Sequence, residues 1–324
     1  MRKTFIAADP ISAKHMTGWG HPESPARYFA IASALEKAGH QHSSNTLKIH
    51  AALLHHLLLC HSLDYIRTVQ DDINKVEALG ILDGQYTLST GDVQICPDSW
   101  EAALMSVGAV LVGIDAIMEG KADNVFCLVR PPGHHACKER GMGFCLFNNV
   151  AIGARYLQKK YGIKKVLIVD WDVHHGNGTQ DIFDEDPSVF YFSTHQEGIY
   201  PGTGLPEDSG RGAAKGTKLN IPIKPGPSAR LQILEAFHGP LVEAMKVFQP
   251  EFVMISAGFD AHYADPLGGL NLKETDFGKL TELMVALADQ YAQGRLLSVL
   301  EGGYDLDAIA ASAVEHVRKL SQQP

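Results

Sequence analysis

Val166-Leu-Ile-Val-Asp-Trp-Asp-Val-His-His-Gly-Asn-Gly178 passes without a break from four aliphatic residues into a polar segment that ends in glycines. A short continuous run of aliphatic side chains suits a parallel strand covered on both faces, because neither face then meets water. The same kind of run recurs at Val125–Val129, Val189–Phe192, Phe252–Ile255 and Leu296–Leu300. Amphipathic stretches suited to helices lie around and between them: Ser24–Ala38, Trp100–Met118, Asn149–Tyr161, Ser228–Phe248, Glu274–Tyr291 and Leu306–Leu320. The first has Ser24 as N-cap, Pro25 at the first helical position and Gly39 just past its end. Strands alternating with helices predict an α/β protein, a single three-layer α/β/α domain over residues 1–324 with a central, mostly parallel sheet.

In such sheets ligands bind beyond the carboxyl ends of the strands. The unusual polar segments of this chain all follow predicted strands: Arg130-Pro-Pro-Gly-His-His-Ala136, Asp170-Trp-Asp-Val-His174, Ser193-Thr-His195, Ser256-Ala-Gly-Phe-Asp260 and Glu301-Gly-Gly-Tyr304. They are therefore expected to converge on one rim. Asp170, Asp172 and His174 alternate with Trp171 and Val173, so extended backbone would project all three to one face. Carboxylate oxygen and imidazole nitrogen are ligands for Zn²⁺, and a catalytic zinc takes about three protein ligands and keeps an open position. Asp265, in the Gly/Pro-shaped segment Ala264-Asp-Pro-Leu-Gly-Gly269, is the expected third ligand.

The His134–His135 pair after Pro131-Pro132-Gly133 favours acid–base chemistry, since imidazole titrates near neutral pH and both accepts and donates a proton. Tyr304, after Gly302-Gly303, has a backbone that can pass close to a ligand. His40, His42, His50, His55, His56 and His61 are read as surface or helix-face residues.

Composition narrows the function classes. A hydrophobic content of 45% and a charged content of 20% are those of a globular protein with material for a core. The formal net charge of −9 argues against nucleic acid as a direct partner, because phosphate binding needs clustered Lys and Arg. Five cysteines without C-x-x-C spacing, and an N-terminal apolar stretch too short for a signal peptide, lead to the expectation of a reduced, cytoplasmic protein. The apolar stretches Ala51–Cys60 and Ala102–Ile114 fall short of the ~20 residues of a membrane span, so no membrane anchor is expected. Nothing in the sequence decides between a monomer and a homo-oligomer.

The motifs taken together resemble the histone deacetylase superfamily. The resemblance is carried by Arg130–Ala136, Gly143-Phe-Cys145 with Asn148-Asn149, Val169–Gly178, Tyr200-Pro-Gly-Thr-Gly204, Asp265-Pro-Leu-Gly-Gly269 and Glu301-Gly-Gly-Tyr304, in that order. It runs from His21-Pro-Glu23 to the last strand. Asn177 and the Glu301-Gly-Gly-Tyr304 form are similar to the class II branch and its bacterial relatives.

The resemblance implies an arginase-like fold and a zinc-dependent amidohydrolase that removes acyl groups from acyl-lysine in peptides or proteins. It implies one Zn²⁺ per chain on Asp172, His174 and Asp265. His135 would be general base and then acid, with His134 as its electrostatic partner, Asp170 orienting His134 and Asn177 contacting His135. Tyr304 would hydrogen-bond the substrate carbonyl. Phe144 and Tyr200 would wall the acyl-lysine tunnel, and the Gly143 carbonyl would receive the substrate N–H. Arg27 matches an arginine lining an internal acetate channel. A first K⁺ would sit at Asp170, Asp172, His174, Ser193 and Thr194, and a second at Phe183, Asp186 and Val189, mostly through carbonyls.

Two positions depart from the family pattern. Tyr200 stands where many relatives have phenylalanine, and Asp92, in Thr90-Gly-Asp92, is only the nearest match to a loop aspartate that grips the substrate backbone. The rival readings are an acetylpolyamine or other small acylated-amine deacetylase, an arginase-type ureohydrolase, and a non-catalytic acyl-lysine binder. Apolar Leu267 leans towards acyl-lysine, because polyamine-selective relatives can carry an acidic residue there. A ureohydrolase would need an Asp-rich two-manganese cluster.

Overall fold

The computed structural model describes residues 1–322. In chain order its strands are β1 (Thr4–Ala8), β2 (Thr46–Leu47), β3 (Tyr86–Thr87), β4 (Gln94–Ile95), β5 (Asn124–Leu128), β6 (Val166–Asp170), β7 (Val189–Gln196), β8 (Lys218–Ile223), β9 (Phe252–Ala257) and β10 (Leu296–Leu300). The helices are α1 (Ala26–Lys37), α2 (Leu54–Leu57), α3 (Leu63–Ala78), α4 (Ser99–Met118), α5 (Asn149–Tyr161), α6 (Asn177–Phe183), α7 (Ala229–Ala236), α8 (Val242–Phe248), α9 (Glu274–Tyr291) and α10 (Leu306–Leu320).

Eight strands make one sheet in the order β2-β1-β5-β10-β9-β6-β7-β8, while β3 and β4 form a separate antiparallel pair. Every pairing in the large sheet is parallel among the described residues. The five expected apolar strands are its centre, buried along their whole length apart from Gln196 at the end of β7. Their side chains alternate between two cores. Val125, Cys127, Val166, Ile168 and Met254 pack towards α3, α4 and α5. Phe126, Leu128, Leu167, Val169 and Ile255 pack towards α1, α9 and α10 on the other face. This is a three-layer arrangement.

The edge strands β2 and β8, and β1 next to β2, were not expected, and the reasons are local. β2 has only two residues, β1 opens on Thr4 and leaves Phe5 and Ala8 only half-buried, and β8 opens on a lysine and contains Pro222, neither of which reads as a buried strand. The single helix expected over Ser228–Phe248 is instead α7 and α8 joined by a π-helical turn, Phe237–Leu241. Pro240 lies inside that turn and has no N–H to continue an α-helical ladder. Among the described residues α4 is long and apolar enough to cross a membrane, yet 67% of its apolar 18-residue stretch is buried and it packs on α5 and β5. All five cysteines are free thiols. Because the sheet is parallel, the segments after β5, β6, β7, β9 and β10 all emerge at one edge.

Candidate active site

Strand β6 ends at Asp170, and the chain then curls rather than continuing extended. Asp170 Oδ1 accepts the Asp172 N–H at 3.1 Å, and Asp172 Oδ1 accepts the His174 N–H at 2.9 Å. Such side-chain-to-backbone bonds turn the chain locally. The expectation that Asp170, Asp172 and His174 share one strand face is therefore corrected. Asp170 turns to His134 Nδ1 at 3.0 Å and receives the Tyr191 hydroxyl at 2.9 Å, whereas Asp172 and His174 gather with a third residue.

That residue is Asp260, and this corrects the expected ligand set. His174 Nδ1 lies 3.1 Å from Asp172 Oδ1 and 3.2 Å from Asp260 Oδ2. Ligand atoms of Asp172, His174 and Asp260 all fall within 4.8 Å of one another. Asp260 is three residues beyond the end of β9 and is anchored by accepting the Val173 N–H at 2.7 Å. Asp265 is held elsewhere: its Oδ2 accepts the Tyr304 N–H at 2.6 Å and its Oδ1 the Leu267 N–H at 3.0 Å. It fixes the backbone of the tyrosine rather than joining the cluster.

The donor set suits Zn²⁺: two carboxylates and one imidazole, close enough to share an ion. Asp172 and Asp260 are fully buried side by side. Burial, followed by the neighbouring Asp172 charge, pushes Asp260 up to about 7, the response of a buried carboxyl beside a second carboxylate. A Cβ on Gly302 would lie 2.1 Å from Asp260 Oδ2 and 2.6 Å from Asp172 Oδ2. The Gly302 N–H instead reaches Asp172 Oδ2 at 2.8 Å. Glycine is needed there for close approach.

The two histidines of the pair lie with ring centroids 4.0 Å apart, tilted at 43° to each other, but have opposite surroundings. Burial alone would lower His134, yet Asp172, Asp170 and Glu301 hold it up at about 10. Burial, then the positive charge of His134 and His174, holds His135 well below the usual range. His135 Nδ1 bonds to Asn177 Oδ1 at 2.8 Å, so its hydrogen sits on Nδ1 and Nε2 keeps a lone pair. Sequence reading assigned Glu301 no role. Its Oε2 accepts the N–H groups of Gly133 at 2.7 Å and His134 at 3.1 Å, which pins the histidine segment to the end of β10.

A cavity of about 300 Å³ opens over the cluster, lined by His135, His174, Phe144, Tyr200, Leu267 and Tyr304 together with Asp92, Gly143 and Ile199. Gly143 and Phe144 both have positive φ, +54° and +68°, and the unusual value at Phe144 turns its ring onto the cavity wall. Asp92 belongs to this wall: its Oδ1 accepts the Gly143 N–H at 2.9 Å and the Tyr200 hydroxyl at 3.3 Å. A wider cleft of about 840 Å³, lined by charged residues such as Arg140, Asp181 and Arg211, includes Asn177 but neither His135 nor the carboxylate cluster.

Arg27 is fully buried, with its guanidinium on Glu23, the Gly303 carbonyl and the Glu301 carbonyl at 2.5–2.8 Å and 5.0 Å from the Tyr304 ring centroid. Of the residues assigned to the first K⁺, Asp170 and Ser193 are direct register partners and Thr194 follows. At the second, the Asp186 and Val189 carbonyls accept hydrogen bonds from the Lys218 ammonium. His61, read as a surface or helix-face residue, is buried, with Nε2 accepting the Asn148 N–H at 2.9 Å.

Residues 21–320 match the histone deacetylase domain family. The chain is 38% identical over 315 residues to the chloroplastic histone deacetylase 10 of Oryza sativa subsp. japonica, covering 94% of this chain and 70% of that one. It is 38% identical over 319 residues to the polyamine deacetylase HDAC10 of Mus musculus, covering 94% of this chain and 46% of that one. The crystal structure of the HDA15 HD domain aligns with a TM-score of 0.90 at 34% identity, over 99% of this chain and 90% of that one.

Proposed function

The chain belongs to the histone deacetylase family, and from that premise we propose that it is a zinc-dependent deacetylase acting on acyl-lysine in peptides or proteins. One observation carries the reading. Two adjoining histidines, one held protonated and one held neutral, stand beside a metal-type cluster at the base of a largely apolar cavity. Paired titratable groups whose surroundings push their pKa values apart mark an acid–base site.

Asp172, His174 and Asp260 would hold the Zn²⁺, which when bound supplies Lewis-acid polarisation of the amide carbonyl and a lower pKa for the attacking water. His135 Nε2 takes the water proton as the nucleophile attacks and later delivers a proton to the departing amine. His134 stays cationic between Asp170 and Asp172 and supports the negative charge that develops nearby. The Tyr304 hydroxyl donates to the carbonyl oxygen, with Asp265 and Arg27 fixing the tyrosine from behind. The lysine stem would lie between Phe144 and Tyr200. Apolar Leu267 in the same wall supports this choice over a polyamine, whose distal ammonium would find no carboxylate at that position.

Tyr304→Phe is the direct check. Turnover of an acetyl-lysine peptide is expected to fall about 10²–10³-fold with zinc content unchanged. Near-native turnover would remove Tyr304 from the mechanism. Faster native turnover of acetylpolyamines than of acetyl-lysine peptides would reassign the substrate.

A further inference from the structure

Lys218 opens β8 and is only 2% exposed, so its ammonium cannot reach water in the way a long cationic side chain ordinarily does. The Nζ donates to the Thr217 hydroxyl oxygen at 2.7 Å, the Val189 carbonyl at 2.9 Å and the Asp186 carbonyl at 3.3 Å. Three donors meet three oxygens, which satisfies an ammonium completely. None of these oxygens is a carboxylate. The Asp186 side chain is taken up by Arg155 and by Ser188, although its charge and that of Asp184 favour a cation at this point.

A positive charge ringed by neutral backbone and hydroxyl oxygens is the chemistry of a monovalent cation site rather than of a salt bridge. Two of the three residues that the family resemblance gives to a second K⁺, Asp186 and Val189, have their carbonyls bound here by lysine. The third, Phe183, accepts the Asp186 N–H at 2.9 Å. An ion placed against the Asp186 and Val189 carbonyls would have to share their space with the ammonium, and two like charges in a buried pocket repel strongly. The residues present therefore do not fit a second potassium.

We propose that Lys218 is a built-in replacement for that ion, a tethered cation binding the segment between α6 and β7 to β8, so that this position takes no K⁺ from solution. The cross-link has a structural purpose. Val189 starts β7, and Tyr191, two residues on, donates its hydroxyl to Asp170, the partner of His134. The covalent tether keeps the charge in place at any salt concentration.

Crystals of the full chain soaked in RbCl give a test that does not depend on activity. The native protein is expected to show no Rb⁺ anomalous peak at the Asp186 and Val189 carbonyls. Lys218→Ala is expected to gain one there, and to acquire a thermal midpoint that rises in KCl relative to choline chloride by more than the native midpoint does. A Rb⁺ peak at those carbonyls in the native protein, with Lys218 displaced, would overturn the proposal. So would a Lys218→Ala protein that takes up no Rb⁺ there and answers KCl as the native does. Should Lys218→Ala fail to fold, the longer Lys218→Gln is read by the same two measurements, and the native Rb⁺ map decides independently.

Discussion

Two buried charge clusters stand close together in this molecule, and they differ in one respect. Around Glu23, the guanidinium groups of Arg27 and Arg130 meet the carboxylate at 2.8 Å and 2.5 Å, with all three side chains wholly buried. Their remaining N–H groups go to the carbonyls of Ser12, His15, Gly303 and Glu301. Across the sheet edge, Asp172 and Asp260 are also wholly buried, but they face each other with one histidine between them. The Glu23 cluster holds more cation than anion, two guanidinium groups on one carboxylate. In the Asp172–Asp260 cluster two carboxylates share the one histidine between them, and the proposed zinc would supply the further cation. That difference separates a structural charge knot from the proposed ligand set, although the carboxylates of both are wholly buried.

The largest effect is expected from Asp260→Asn. It removes one carboxylate from the proposed ligand set, and zinc per chain, measured on the purified protein, should fall to background together with turnover. A variant that kept its zinc and activity would break the comparison. Glu23→Gln comes next, and its effect is on stability. It leaves two buried guanidinium groups without their shared anion, and unfolding in denaturant should show a loss of about 3–5 kcal/mol. The pH dependence has a defined sign. Burial alone would raise Glu23, but Arg130 and Arg27 hold it down at about 2. Its contribution is therefore complete above the ordinary carboxylate range and is lost as pH falls from there towards 2. If native stability, corrected for the other carboxylates by Glu23→Gln, showed no such acid loss, the knot would not be an ionised pair. The smallest effect sharpens the boundary of the ligand set. Asp265→Asn should retain zinc and reduce turnover about 10–100-fold, because Asp265 positions Tyr304 from behind. Loss of zinc on that change would return Asp265 to the metal.

The strands at the sheet centre were legible because full burial on two faces leaves a signature in consecutive residues, as in Val166–Val169. The rim was legible for a related reason: a parallel sheet sends every following segment to the same edge, so His134, His135, Asp172, His174 and Tyr304 could be grouped before any coordinates. Edge strands such as β8 carry no such signature, since Lys218 and Pro222 look like loop residues until their partners are known. Asp260 had a weak local signal, its nearness to the end of β9, which Asp265 lacks.

Residue type and periodicity by themselves determined the layers, the sheet edge that bears the chemistry, and the kinds of side chain available there. Only the tertiary structure decided which of two aspartates, five residues apart, faces Asp172, and that a lysine from β8 reaches the Asp186 and Val189 carbonyls. The physical reason is range. Alternation along a strand is set by neighbouring residues, whereas the convergence of β6, β9 and β10 on one carboxylate cluster depends on backbone bonds such as Gly302 N–H to Asp172 and Val173 N–H to Asp260, which join positions far apart in the chain.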